Sequence, residues 1–189
     1  QKSTFLFLRY FLVFLTFLCS STSTQALNNS VNTDTIDARY NLLPHISYFI
    51  DYSFQLEIKE LLTIDSKDWK TNTLSVQNFG QLNSPIWFKF HISMATDNLE
   101  KLFFQINYPH HDFVDVYFIH DSEIIKTIST GDHLPFDSRL NSNPEFIFPI
   151  PLLYESLDIF VSVKSEGLLQ MPMNLLTQTE YEKQTKNFS

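Results

Sequence analysis

The sequence predicts an all-β domain, an antiparallel sandwich or barrel of about seven short strands. Three observations carry the prediction. Apolar and polar residues alternate with a period of two in several segments, as in Ile86, Phe88, Phe90 and Ile92 against Trp87, Lys89 and His91. Clusters of Pro, Asn, Asp and Gly separate those segments. The apolar supply is rich in rings, with 19 Phe, 8 Tyr and 2 Trp among 189 residues. Alternation places successive side chains on opposite faces of an extended chain, and flat rings pack well on a pleated surface.

The elements follow in order. Gln1 to Ala26 reads as a secretory signal: Lys2 and Arg9 supply a positive flank, Tyr10–Leu18 is apolar throughout, and Thr24-Gln25-Ala26 offers small residues at a cleavage site. The apolar run from Tyr10 to Cys19 is shorter than the ~20 residues of a membrane span, so a cleaved signal is the first reading and an uncleaved anchor the second. Lipid attachment at Cys19 is disfavoured by the bulk of Leu18 before it. Residues 27–41, rich in Asn, Ser and Thr, read as a linker. The β-sandwich is expected over residues 42–178. Within it Ser53–Ile64 fits helix or strand, because Phe54, Ile58 and Leu61 keep helical spacing. Strands are expected at Ile86–Ile92, Leu102–Ile106, Val114–Phe118, Ile124–Ile128, Phe146–Ile150, Leu157–Val163 and Met171–Leu176. Residues 179–189 are polar and read as a tail or linker toward a membrane region. Because the chain begins with Gln, it is read as part of a longer product.

Composition removes several function classes. The formal net charge is −8, and loss of the signal would remove two bases and no acids. Such a surface repels a nucleic-acid backbone and an anionic membrane. Only three glycines are present, too few for phosphate-cradling loops. The one cysteine, Cys19, lies in the signal, so no disulfide framework, thiolate metal site or cysteine nucleophile is expected. No cofactor is expected either.

No catalytic constellation is recognisable. Ser129, Asp132 and His133 are the residue types of a hydrolase triad, but no G-x-S-x-G elbow exists and sequence neighbours rarely form a triad. Asp112 with Asp115, and Glu155 with Asp158, resemble glycosidase carboxylate pairs, yet nothing in the sequence fixes their separation. His110-His111-Asp112 is the nearest approach to a metal cluster. In an extended chain the two histidines point to opposite faces and do not converge, so solvated or satisfied histidines are the preferred reading.

Four blocks then stand out in order: Ser84-Pro85-Ile86-Trp87-Phe88-Lys89-Phe90, Gln105-Ile106-Asn107-Tyr108-Pro109, Val114-Asp115-Val116-Tyr117, and Gly131-Asp132-His133-Leu134-Pro135-Phe136-Asp137-Ser138-Arg139. Their order and spacing resemble the type 2 extracellular domain of bacterial seven-transmembrane receptors with diverse intracellular signalling modules, from roughly Ile46 to Tyr181. The resemblance implies a periplasmic or extracellular jelly-roll-like sandwich similar to carbohydrate-binding modules. It implies seven membrane helices after the domain, in an inner-membrane protein, and a cytoplasmic output, commonly a diguanylate cyclase or histidine kinase. At His110, His111 and Asp112 the chain departs from the apolar residues that many relatives carry after Tyr-Pro.

The function expected is therefore a sensory input domain. Its expected partners are a carbohydrate or other small ligand, and the membrane and cytoplasmic modules of the same protein. The alternative is a protein-interaction or homodimerisation module without a small ligand. The candidate ligand-binding residues are Trp87, Tyr108, His110, His111, Asp132 and Arg139. Trp87 has two readings, a core tryptophan, which is preferred, or an exposed platform for the C–H face of a sugar. Arg139 either pins its loop through Asp132, the preferred reading, or meets an anionic ligand. Gly131 is expected at a turn with unusual backbone angles.

Overall fold

A computed structural model describes residues 30–71, 78–94, 101–135 and 143–186. The expected signal segment and Arg139 lie outside the described residues. Two sheets face each other across one core. The larger contains β1 (Ser30–Asn32), β3 (Ser47–Ile50), β4 (Lys70–Thr71), β6 (Ile86–Ser93), β8 (Phe113–His120), β9 (Glu123–Thr130) and β11 (Ser156–Lys164), in the order β4-β3-β6-β11-β8-β9. β1 runs parallel to the end of β6 that β3 leaves unpaired, His91–Ser93. The smaller sheet has the order β10 (Phe146–Pro149), β7 (Leu102–Ile106), β13 (Met173–Thr177), β2 (Arg39–Asn41), and β5 (Asn78–Gln81) pairs with β12 (Leu168–Gln170) in a separate ribbon. The remaining pairings are antiparallel among the described residues. The expected all-β sandwich is the observed fold class.

The period of two decides which side chains enter the core. Ile86, Phe88, Phe90 and Ile92 of β6 and Leu157, Ile159, Val161 and Val163 of β11 point inward, against Phe104 and Ile106 of β7 and Phe146 and Phe148 of β10. Phe90 and Phe104 touch across the interface with ring centroids 5.2 Å apart. Each such side chain, wholly removed from water, contributes about 1.5–3 kcal/mol.

Residues 51–69 cover part of the larger sheet's outer face. Asp51, buried at the end of β3, starts the excursion: its Oδ1 accepts the Ser53 and Phe54 amides at 2.9 and 3.0 Å, and Oδ2 accepts the Leu56 amide at 3.0 Å. Burial opposes this charge, but the donors, including the Ser53 hydroxyl, outweigh it and hold the carboxyl below its ordinary pKa. The same bonds hold Phe54 at φ 60°. The ambiguous stretch thus resolves into a turn followed by the short helix α1 (Ile58–Leu61), capped reciprocally by Glu57 and Glu60. Ile58 and Leu61 face the sheet with Trp69, Trp87, Ile119 and Phe160 as a second, smaller core.

Two segments differ from their sequence reading. Residues 30–41, read as linker, add a strand to each sheet, and Val31 and Ile36 join the main core. Two isolated apolar residues have no periodicity to reveal them. The polar stretch read as a tail begins with a helix, α2 (Gln178–Lys186), lying on the outer face of the smaller sheet. Tyr181 stacks on Phe103 with centroids 4.0 Å apart. Gln184 Oε1 accepts from Gln105 Nε2 at 2.9 Å, and Glu145 accepts from the same nitrogen. Tyr181 packs on the cluster of Phe103, Ile147 and Leu176 and so anchors the helix to the sheet. Tyr181→Ala is expected to cost about 1 kcal/mol and to speed amide hydrogen exchange in residues 178–186 while the sheet amides stay protected.

Candidate functional site

Strand register builds a cavity on the part of the larger sheet's outer face that the excursion leaves open. On β6 the residues opposite the core are Trp87, Lys89 and His91. On β11 they are Asp158, Phe160 and Ser162, paired with His91, Lys89 and Trp87 in turn. β3 sets Ser47 beside Lys89 and Phe49 beside Trp87, and β8 sets Tyr117 beside Phe160 and Ile119 beside Asp158. The Trp87 row is packed under the excursion. The Lys89 and His91 rows line a cavity of about 270 Å³, with His45, Leu62 and Ser122 at its edges.

Its charged groups are arranged unevenly. His91 Nδ1 lies 2.8 Å from Asp158 Oδ1. That hydrogen bond raises the imidazole pKa above its ordinary value, with burial working against it. Lys89 Nζ sits 4.1 Å from the centroid of the Trp69 ring, a cation–π contact. Burial pushes its ammonium pKa down, and the charge of Asp158 opposes that shift. His45 donates to or accepts from the Tyr40 hydroxyl at 2.8 Å, and burial lowers its pKa. The cavity therefore offers an ammonium, a histidine–carboxylate pair, two hydroxyls and the Phe160 ring. Such a set can bind a small polar molecule and orient it. Among the described residues no three His, Cys, Asp or Glu side chains are grouped to hold a metal ion.

None of the sequence candidates among the described residues lines this cavity. Trp87 is 4 % exposed and stacks on Tyr117 with centroids 5.8 Å apart, so of its two readings the packed one describes its surroundings. Tyr108, His110, His111 and Asp132 gather at the end of the sandwich marked by Ile86, Val114 and Val163, whereas the cavity lies toward the other end. His110 and Asp132 are exposed and Tyr108 is half-buried. His111 is buried, with Nε2 2.9 Å from the Gln170 carbonyl oxygen. The loops around them interlock: the Asp132 amide donates to His111 O at 2.7 Å, the His133 amide to Asp112 O at 3.2 Å, and the Glu166 amide to Asp112 Oδ2 at 2.7 Å.

Three of the four acids considered as catalytic pairs have local partners. Asp115 accepts from the Ser129 hydroxyl at 2.5 Å, Asp112 holds the 165–167 turn, and Asp158 pairs with His91. Lys89, His91 and Asp158 were not among the ligand-binding candidates of the sequence; Asp158 was weighed there only with Glu155, as a carboxylate pair. The same alternation that marks Ile86, Phe88 and Phe90 as core sets Lys89 and His91 on one outward row, so part of the site had a signal. Asp158 had none, because only strand pairing brings it opposite His91.

A scan against family models matches the chain over residues 43–177 to the 7TMR-DISM extracellular 2 domain. No curated protein matches it.

Proposed function

The chain belongs to the 7TMR-DISM extracellular 2 family, and from that membership we propose that it is the ligand-binding input of a bacterial transmembrane signalling receptor. The family is one of extracellular sensory domains of membrane receptors, and among the described residues no helix is long and apolar enough to cross a membrane. The domain works on the periplasmic or extracellular side, delivered there by the N-terminal segment. A cytoplasmic output, a diguanylate cyclase or a histidine kinase, is the proposed receiver. The observation that carries ligand binding is the outer-face cavity, where Lys89, His91 and Asp158 converge beside Phe160. Tyr108, His110 and Asp132 form a secondary candidate surface at the loop end. Binding alters signalling only if the ligand favours one receptor conformation over another. α2, docked on the opposite sheet through Tyr181, is an element whose docking such a change can bias.

The test is a thermal-shift screen of the chain against glycans and metabolites, repeated with His91→Ala. A compound that raises the melting temperature of the wild-type chain and not of His91→Ala supports the cavity. A shift that survives in His91→Ala and disappears in Asp132→Ala moves the site to the loop end. The second reading, an interaction module, is favoured by Tyr52, Phe54 and Phe113, which are exposed at one end of the larger sheet. A screen without any shift, together with concentration-dependent dimerisation lost in Tyr52→Ser, would replace the first reading by the second.

A further inference from the structure

The charge pattern of the outer-face cavity selects a ligand class. Lys89 lines it as a half-buried ammonium that rests against the Trp69 ring, with no carboxylate of the described residues in ion-pair contact. Asp158, one strand away, is engaged by His91 at 2.8 Å instead. An ammonium partly drawn out of water against an aromatic face, with Asp158 acting on it only at a distance, keeps hydrogen-bonding capacity for a contacting anion. An incoming anion takes up that capacity, and the contact strengthens in the partly desolvated site.

We infer that the cavity binds a small monoanionic carboxylate, its oxygens on Lys89 and a hydroxyl group of the same molecule on the Asp158–His91 pair. This rests on the reading of the cavity as the ligand site. Charge favours the monoanion: one carboxylate matches the single Lys89 ammonium, and Asp158, already engaged by His91, repels a second negative charge. A dianionic phosphate overshoots and is repelled by Asp158. Size agrees, since about 270 Å³ lies just under the usual range of ligand pockets, about 300–1,000 Å³. Phe160 and Ile119 supply the apolar wall against which a short carbon skeleton packs.

The test is titration calorimetry of the chain with D-glucuronate and with lactate, with D-glucose and inorganic phosphate as comparators. Glucuronate and glucose share a ring and differ in the charge. Glucuronate and lactate are expected to bind, and glucose and phosphate to bind at least about tenfold more weakly. Lys89→Gln is expected to weaken the carboxylates roughly tenfold to hundredfold without lowering the melting temperature, and Lys89→Arg to retain them. Equal affinity for glucose and glucuronate, tighter binding of phosphate, or unchanged carboxylate affinity in Lys89→Gln each overturns the inference. Glucose binding that is lost in His91→Ala would overturn the ligand class and leave the cavity as the site. No carboxylate binding up to about 10 mM also overturns the class, and the wider screen then decides the fate of the site itself. If Lys89→Gln does not fold, the comparison of glucuronate with glucose on the unaltered chain decides alone.

Discussion

Gly131→Ala is expected to cost about 4 kcal/mol and to lower the melting temperature by roughly 10 °C. Gly131 follows β9 with φ 152°, and a Cβ there would stand 2.1 Å from Asp112 O, 2.7 Å from Asp112 C and 2.9 Å from Phe113 Cα. All three are backbone atoms, so no side chain can swing aside. Nor can the two segments part freely, because the amides of Asp132 and His133 bond the carbonyls of His111 and Asp112. The substitution must either break those bonds or bend the start of β8, which is paired along its length with β9 and β11. Gly80 supplies the control. Its φ is 66°, yet a Cβ there meets nothing within 4 Å. Gly80→Ala therefore carries only the left-handed backbone penalty, about 1 kcal/mol. Chemical denaturation of both variants checks the difference. Equal costs at the two positions would show that crowding against Asp112 is not what demands glycine at 131.

The same loop block shows what a sequence can and cannot disclose. Gly131 was legible as a backbone position, because a lone glycine after an alternating strand implies angles that other residues avoid. That its Cα faces Asp112 was not legible, since the contact joins segments about twenty residues apart. Sheet composition followed the same rule. Ile86, Phe88, Phe90 and Ile92 announced a core face by their spacing alone, and the structure buries all four. Val31 and Ile36 could not announce theirs, because each is a single apolar residue among polar ones and is buried only through β1 and its neighbouring turn. The second core, with Trp69 over Phe160, covers the side of the sheet that alternation alone leaves undecided. Trp87 is buried for that reason, and the cavity survives only where the 51–69 excursion stops. The site was thus half readable: Lys89 and His91 from period, Asp158 and the cavity from register and coverage.

Acidification should destabilise the fold by roughly 3 kcal/mol through His111 alone. The imidazole is wholly buried and its Nε2 lies 2.9 Å from the Gln170 carbonyl, which requires the proton on Nε2. Nδ1 is therefore the basic atom, and it is buried without a hydrogen-bond partner. A second proton would have to enter there, beside the rings of Tyr108 and Phe146. Burial accordingly pushes the pKa from 6.5 down to about 4, although the Gln170 bond and the charge of Asp112 pull the other way. Below pH 6.5 the unfolded chain takes up a proton that the folded chain refuses until about pH 4. Stability is thus full above that window and falls as pH drops through it. His45, also lowered by burial, acts in the same direction, whereas the raised pKa of His91 acts in the opposite one. Asp51, already below its ordinary value, loses its contribution only at still lower pH. Comparison with His111→Gln isolates the group, because glutamine can still donate to the Gln170 carbonyl and does not titrate. Urea denaturation from pH 7 to pH 4 should show a steep loss for the wild-type chain and a shallower one for the variant. Parallel curves would mean that His111 accepts its second proton without cost, and that the interlocked loop end opens to water before the fold does.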